Sequence, residues 1–312
     1  MQHGQTVSCI GLGAMGWGIA SNLASKQEGV GVVSQVLVWN RTKSKSEQHA
    51  ATFGTKSVET LADAARADVV ITCLPTSTEV AAVANELGPN LRPGMLWIDC
   101  TSGDPVTTQK TADFLFQLGV DMVDCPVSGG PDGALCGNLT AMVGGASFSR
   151  AKPFISCFAK KKIVHCGGVG AGNAVKAANN CLNVSHLVLG AEALLALAKF
   201  GVHPGTALEA INASSGRSLQ TEVRLPAEVL SRKFNYGFKM GLMLKDVNTA
   251  IQGLGMQDDG VSLIPRVKEI LQMSTDQHGF DADYTTVVKT LEDRAGLNLS
   301  SQSGTGTQTN FS

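Results

Sequence analysis

No run of basic residues longer than Lys160-Lys161-Lys162 occurs in the 312-residue sequence, and the formal net charge is −1. The clustered lysines and arginines of a nucleic-acid binder, or of a protein drawn to anionic membranes, are therefore missing, and the three lysines read as a solvated turn. Charged residues make up only 16% against 43% hydrophobic, which suits a compact chain with much of its surface buried, part of it between subunits. Long uninterrupted apolar runs are also scarce. The longest candidate, 187–200, contains Glu192 and Lys199, so no stretch is expected to reach the length that spans a bilayer. Met1 to Gln5 run into an apolar strand signal without an arginine-rich leader or a secretory core. The expectation is a cytoplasmic protein, with a mitochondrial one left open if the chain has been trimmed.

Ligand spacing is lacking too. The eight cysteines, at 9, 73, 100, 125, 136, 157, 166 and 181, form no C-x-x-C pair, and most lie in apolar runs such as VITCLP and WIDCTS. Buried free thiols are expected rather than a disulfide framework. The six histidines, at 3, 49, 165, 186, 203 and 278, show no metal-binding spacing, and no metal is expected.

What is present is an alternation. From Thr6 to about Cys166, short β-rich runs (TVSCI, QVLVWN, DVVITCLP, GMLWIDC, VDMVDCP, LTAMVGG, KKIVHCG) are separated by helical patterns starting near Ala14, Lys43, Thr60, Ser77, Pro105 and Ser147. Such β-α alternation predicts an α/β fold with a doubly wound, mostly parallel Rossmann-type sheet. Strand signals then stop. One long helix is predicted over 171–200, with further helices near 204–213, 221–232, 242–256, 263–273 and 285–292. Length also favours two domains. The expected division is 1–168 for dinucleotide binding and an all-α 169–299 for substrate and assembly, with 300–312 as a disordered tail.

The first strand is followed by Gly11-Leu12-Gly13-Ala14-Met15-Gly16, a G-x-G-x-x-G opening a helix. In this context the first glycine allows the turn, the second admits a pyrophosphate and the third lets helix and strand pack closely. The helix N-terminus adds N–H donors for the phosphates. After the second strand stand Asn40, Arg41 and Thr42, where a ribose 2′-hydroxyl would call for Asp or Glu. An arginine and a hydroxyl with no carboxylate favour NADP over NAD, with NAD left open. The competing reading is that Arg41 is a surface arginine at a helix start. The 27–35 connection is longer than this motif usually has.

Lys176 and Asn180 are four apart and share a helix face, with Gly172 and Asn183 on the same side, while Val175, Leu182, His186, Leu189 and Ala193 mark a more apolar side. Desolvation disfavours a lysine's charged form, which suits such a residue to proton transfer. Taken alone, the lysine reads better as a packed stem at a helix start with its head in water. Ser128-Gly129-Gly130, after a strand, offers a hydroxyl and successive N–H groups, a nest for a small carboxylate, or simply a Gly/Pro turn.

Taken in order, GLGAMG, CLPTSTEV, DCTSGDP, DCPVSGGPDGALCGNLTAMVGG, GVGAGNAVKAANN and LMLKDVNTA resemble the β-hydroxyacid dehydrogenase family over roughly residues 6 to 295. Its members include 3-hydroxyisobutyrate dehydrogenase and the tartronate, glyoxylate and succinic semialdehyde reductases. The resemblance implies an NAD(P)-dependent oxidoreductase acting on a small β-hydroxy carboxylate, with 3-hydroxyisobutyrate favoured and an NADPH-dependent semialdehyde reductase as the alternative. It also implies Lys176 as catalytic acid/base, Asn180 in substrate binding, and Ser128, Gly129 and Gly130 around the substrate carboxylate. Lys245 would close over cofactor and substrate with Asp246 orienting it, and Leu74, Pro75, Glu79, Thr101 and Ser102 would line the cofactor. Homodimers or homotetramers are expected on the same ground. A non-catalytic cofactor-binding module is the reading from another class, and Lys176 argues against it.

Overall fold

The computed structural model describes residues 4–25, 31–256 and 259–301. Part of the 27–35 connection and most of the 300–312 tail lie outside these residues. Backbone proximity divides the chain into two units, Met1–Ala177 and Ala178–Ser312, and the division falls inside a helix, later than the boundary expected after 168.

The first unit is built on strands β1 (Gln5–Ile10), β2 (Val33–Trp39), β3 (Lys56–Ser57), β4 (Val69–Thr72), β5 (Leu96–Asp99), β6 (Asp121–Asp124), β7 (Val127–Ser128), β8 (Thr140–Gly144) and β9 (Lys162–Gly167). Its helices are α1 (Ala14–Ala24), α2 (Lys43–Phe53), α3 (Ser77–Leu87), α4 (Pro105–Gln117), α5 (Gly130–Leu135), α6 (Phe148–Phe158) and the start of α7 (Ala171–Phe200). From β3 through β2, β1, β4 and β5 to β6 the sheet is parallel. Beyond β6 it becomes mixed, because β8 runs antiparallel to β6 and β7 but parallel to β9.

Strands buried on both faces read as continuous apolar runs, and β4 shows why. Val69 and Ile71 join Val7, Cys9, Val36, Val38 and Ile98 under Ile19 of α1 and Phe154 of α6. Val70 points the other way and joins Ile10, Trp97 and Met122 under Leu87 of α3 and Leu115 of α4. The seven expected strands are present; the two-residue β3 and β7 and the six-residue α5 were not legible. Near Thr60 the structure has a 3₁₀ turn, Ala62–Arg66, instead of an α-helix.

The long helix α7 spans the expected 30 residues. One expectation fails here. By length and mean hydropathy, 1.6 over its best window, this helix is apolar enough to cross a bilayer. The stretch 187–200 is only its second half, and 171–186 continues the same helix. Nearly half of that window is buried against protein, so the same composition serves a packed helix. The side marked by Val175, Leu182, His186, Leu189 and Ala193 is exposed, and the buried positions are Val184, Leu187, Val188, Ala191, Leu194 and Leu195.

The second unit continues with α8 (Pro204–Asn212), a π-helical segment Gln220–Leu230, α9 (Met240–Gly253), α10 (Leu263–His278), a 3₁₀ turn Tyr284–Thr286 and α11 (Val287–Ala295). Pro226 lies inside the π-helical segment, where a missing N–H favours departure from regular α geometry. Backbone bonds from Met240 to Ala282 and from Tyr284 to Phe238 tie α9's entry to the 3₁₀ turn. Leu225, Val229, Met243, Val247, Leu271, Val287 and Val288 are fully buried in this unit.

Candidate active site

At the C-terminal end of β1 the glycine-rich turn has the geometry its spacing calls for. Gly11 has φ +96°, and a Cβ there would lie 2.4 Å from the Cys73 carbonyl oxygen; one on Gly16 would lie 2.0 Å from that of Gly11. At Gly13 nothing stands within 4 Å of an added Cβ, leaving the backbone open to a ligand. Helix α1 starts there with no side-chain cap and no acidic residue in its first turn, so its first N–H groups can bind an anion. These residues fit a dinucleotide phosphate. Leu12 is buried, Gly13 and Ala14 are exposed and Met15 is half-buried.

Asn40 does structural work at this turn. Its Oδ1 accepts the Leu12 N–H at 3.0 Å and its Nδ2 donates to the Thr42 carbonyl at 3.0 Å, joining the glycine turn to the β2–α2 connection. Arg41 and Thr42 are exposed beside it. Arg41 has no acidic partner among the described residues.

Leu74 and Pro75 follow β4, and Thr101 and Ser102 follow β5. The Leu74 N–H donates to Thr101 Oγ1 at 3.0 Å, while the Thr101 N–H donates to Asp99 Oδ1 at 3.0 Å. Glu79 is held by the Thr76 hydroxyl at the start of α3, and Thr76 also accepts the Thr78 N–H. Capping thus accounts for its position.

Two buried carboxylates, Asp99 and Asp124, stand side by side at the ends of β5 and β6. Burial pushes the Asp99 carboxyl up to about 6, against hydrogen bonds from Thr101 and Thr72 and with a further push from Asp124. Its Oδ2 has no hydrogen-bond partner. Asp124 is also raised by burial, opposed by the N–H groups of Gly170, Asn173 and Gly172. The Gly170 N–H reaches Asp124 Oδ1 at 2.7 Å and the Asn173 N–H reaches Oδ2 at 2.8 Å. Asp124 therefore caps the N-terminus of α7, two turns before Asn180 and one before Lys176. Asn173 makes a second tie, accepting the Gly103 N–H at 3.0 Å and donating to Thr108 Oγ1 at 3.1 Å. Sequence reasoning quoted Asp124 but gave it no role, and it passed over Asn173. An acid four residues before Ser128 and an asparagine three before Lys176 were the available signals.

Ser128 ends β7 half-buried, and Gly129 and Gly130 follow with φ +145° and +70°. Those dihedrals turn the chain sharply into α5 and are open to glycine rather than to L side chains. Lys176 is 9% exposed, so α7 holds its side chain largely away from bulk water.

In the second unit, buried Asn180 donates from Nδ2 to Asp246 Oδ2 at 2.5 Å, and Lys245 Nζ lies 2.9 Å from Asp246 Oδ1. One carboxylate of α9 thus holds both. The Asn180 Oδ1 in turn accepts from Asn179 Nδ2 at 3.2 Å. Among the described residues no cluster of His, Cys, Asp and Glu could hold a metal ion. None of the eight cysteines is in a disulfide; five are buried and Cys136 is exposed.

Comparison with known proteins gives the same picture. A family profile described as the NAD binding domain of 6-phosphogluconate dehydrogenase matches residues 6–168. Another, described as the NAD-binding domain of NADP-dependent 3-hydroxyisobutyrate dehydrogenase, matches residues 170–291. The 2-(hydroxymethyl)glutarate dehydrogenase of Eubacterium barkeri is 34% identical over 306 residues, which is 96% of this chain and 99% of the relative. Among solved structures, 3-hydroxyisobutyrate dehydrogenase of Mycobacterium tuberculosis with L-serine aligns with a TM-score of 0.83 and 28% identity, covering 93% of this chain and 99% of that one. Psf3 in complex with NADP+ and 2-OPP aligns with a TM-score of 0.80 and 25% identity, covering 91% and 99%. With a nicotinamide-dinucleotide fold along its first half, a helical second half and dehydrogenase relatives matched end to end, this chain is an oxidoreductase of the β-hydroxyacid dehydrogenase family.

Proposed function

We propose that the protein interconverts a small β-hydroxy carboxylate and its carbonyl form using NADP(H) in preference to NAD(H), with Lys176 as general acid/base. The observation that carries this reading is Lys176 itself, a buried lysine on a helix whose start is fixed by Asp124. The redox chemistry comes from the nicotinamide when bound. In oxidation, Lys176 Nζ takes the proton from the β-hydroxyl; in reduction, its ammonium returns a proton to the oxygen. Ser128 and the N–H groups at Gly129 and Gly130 bind the substrate carboxylate, and Asn180, one turn beyond Lys176 on α7, assists in substrate binding. Lys245 takes part through Asp246, which fixes its direction along with that of Asn180. Positioning of this kind must supply much of the rate beyond proton transfer, which contributes about 10²–10⁴-fold.

The substrate favoured is 3-hydroxyisobutyrate or a close β-hydroxy acid; a semialdehyde reductase would run the same chemistry in the other direction. Initial rates with NADP(H) and NAD(H) on a panel of small hydroxy acids and semialdehydes test the reading. Lys176→Ala should keep cofactor affinity by fluorescence titration and lose about 10²–10⁴-fold in kcat. Near-normal turnover in that variant would remove Lys176 from the mechanism.

A further inference from the structure

A buried asparagine is costly unless its polar ends are bonded, and Asn173, 1% exposed, has its backbone N–H, its Oδ1 and its Nδ2 all engaged. The partners fix which way the amide faces. The Gly103 N–H can only donate, so it meets Oδ1, and Nδ2 is left to donate to the Thr108 hydroxyl. The backbone N–H goes to Asp124 at the end of β6. One residue of α7 is thus bonded to the turn after β5, to α4 and to β6.

The turn 101–103 is held at both ends. At its start the Thr101 N–H donates to Asp99, on the turn's own strand; at its end the Gly103 N–H donates to Asn173, and the next N–H, that of Asp104, donates to Ser77 Oγ at 3.1 Å. Gly103 sits tightly in this corner, since a Cβ there would lie 3.2 Å from Thr108 Oγ1 and 3.4 Å from Asn173 Nδ2. A second contact joins the same two elements: Gln109 of α4 donates from Nε2 to the Val169 carbonyl at 3.1 Å, just ahead of α7. Asn173 stands three residues before Lys176, so the two are neighbours on successive turns of the helix.

We propose that Asn173 is a positioning residue that ties the turn carrying Thr101 and Ser102 to the helix turn carrying Lys176, so that a bound cofactor is held in register with Lys176 and its binding is relayed to the start of α7. The proposal rests on the reading of Lys176 as general acid/base and of Thr101 and Ser102 as cofactor-lining residues. A residue that only filled space here could be apolar. An amide does what an alkyl group cannot: it accepts the buried Gly103 N–H, which would otherwise be left unpaired, and donates to α4 at the same time. A displacement of about 1 Å between reacting groups costs on the order of 10²-fold in rate, which is the leverage such a tie has on turnover.

The test measures kcat and KM with 3-hydroxyisobutyrate and with succinic semialdehyde in Asn173→Ala, Thr108→Val and Thr108→Ser, and repeats Asn173→Ala in the Lys176→Ala background. Asn173→Ala should lose about 10–100-fold in kcat with KM changed far less, and should cost nothing further once Lys176 is gone. Thr108→Val should show a smaller fall of the same kind, and Thr108→Ser, which keeps the hydroxyl, should return to near the native rate. Amide hydrogen exchange supplies a readout besides activity. In the native protein NADP should slow exchange at the glycine turn 11–16 and at 171–177; in Asn173→Ala the first protection should remain and the second be lost. Native kcat in Asn173→Ala, a fall by the same factor with and without Lys176, or protection at 171–177 that survives the substitution overturns the proposal. Turnover of neither substrate, or native turnover in Lys176→Ala, with the relay still lost in Asn173→Ala, would instead overturn the catalytic reading and leave the tie between turn and helix standing.

Discussion

Single residues carry the cofactor and the charge balance. Arg41 is exposed, without an acidic partner among the described residues, next to a turn that Asn40 locks in place. If its guanidinium pairs with a 2′-phosphate, Arg41→Ala should raise the Kd for NADP about tenfold or more while changing that for NAD much less. Equal losses on both cofactors, read by fluorescence titration, would remove that contact. Asp99 makes a different prediction. Its folded-state value of about 6 lies above the unfolded value near 3.9, so the folded state holds the proton more tightly. Its contribution therefore favours folding below about pH 4 and is lost as pH rises through about 6. Two pH units correspond to about 3 kcal/mol. Urea denaturation between pH 4 and 7.5 should show a decline in the native protein that Asp99→Asn lacks; parallel profiles would mean that Asp99 does not titrate in this range.

At the scale of elements, helix α7 matters most, because Lys176 and Asn180 both belong to it. Its first turn lies so close to β8 that a Cβ on Gly172 would come within 2.3 Å of the Met142 carbonyl oxygen and 2.8 Å of Asp124 Oδ2. Gly172→Ala should therefore cost about 1–3 kcal/mol and lower kcat by displacing Lys176. Gly168→Ala, where nothing stands within 4 Å of the added carbon, is the control and should leave Tm nearly unchanged. Thermal melts and steady-state rates of the two variants decide the matter, and equal effects would separate α7's seat from catalysis. None of this was legible in advance. The helix itself was, since its apolar repeat runs unbroken from 171 to 200, but a glycine's reason for being a glycine is a neighbour 30 residues away in sequence.

For the molecule as a whole, periodicity made the two-part layout readable. Alternating strand and helix signals stop at Cys166, and the structure follows them. What stayed hidden depends on partners distant in the chain. The two-residue β7 exists because Val127 and Ser128 pair with Ala141 and Thr140, and Asp124 caps a helix that starts 47 residues later. The expected apolar side of α7 came out exposed because hydrophobicity alone does not say which side finds a partner. Among the proposed site residues, those in the glycine turn were legible through a known spacing.

The unit boundary inside α7 has a consequence for how such chains can be rearranged. A break after Ala177 would cut a continuous helix and leave Lys176 one residue from the end of one piece and Asn180 two residues from the start of the other, exposing half-turns with unpaired carbonyls on one piece and N–H groups on the other. Exchange of halves between relatives, whether by recombination or in the laboratory, has its natural junction earlier, in the glycine turn 167–170 ahead of the helix. A chimera joined there inherits its lysine and its asparagine together, from the same parent, with the helical turn between them intact.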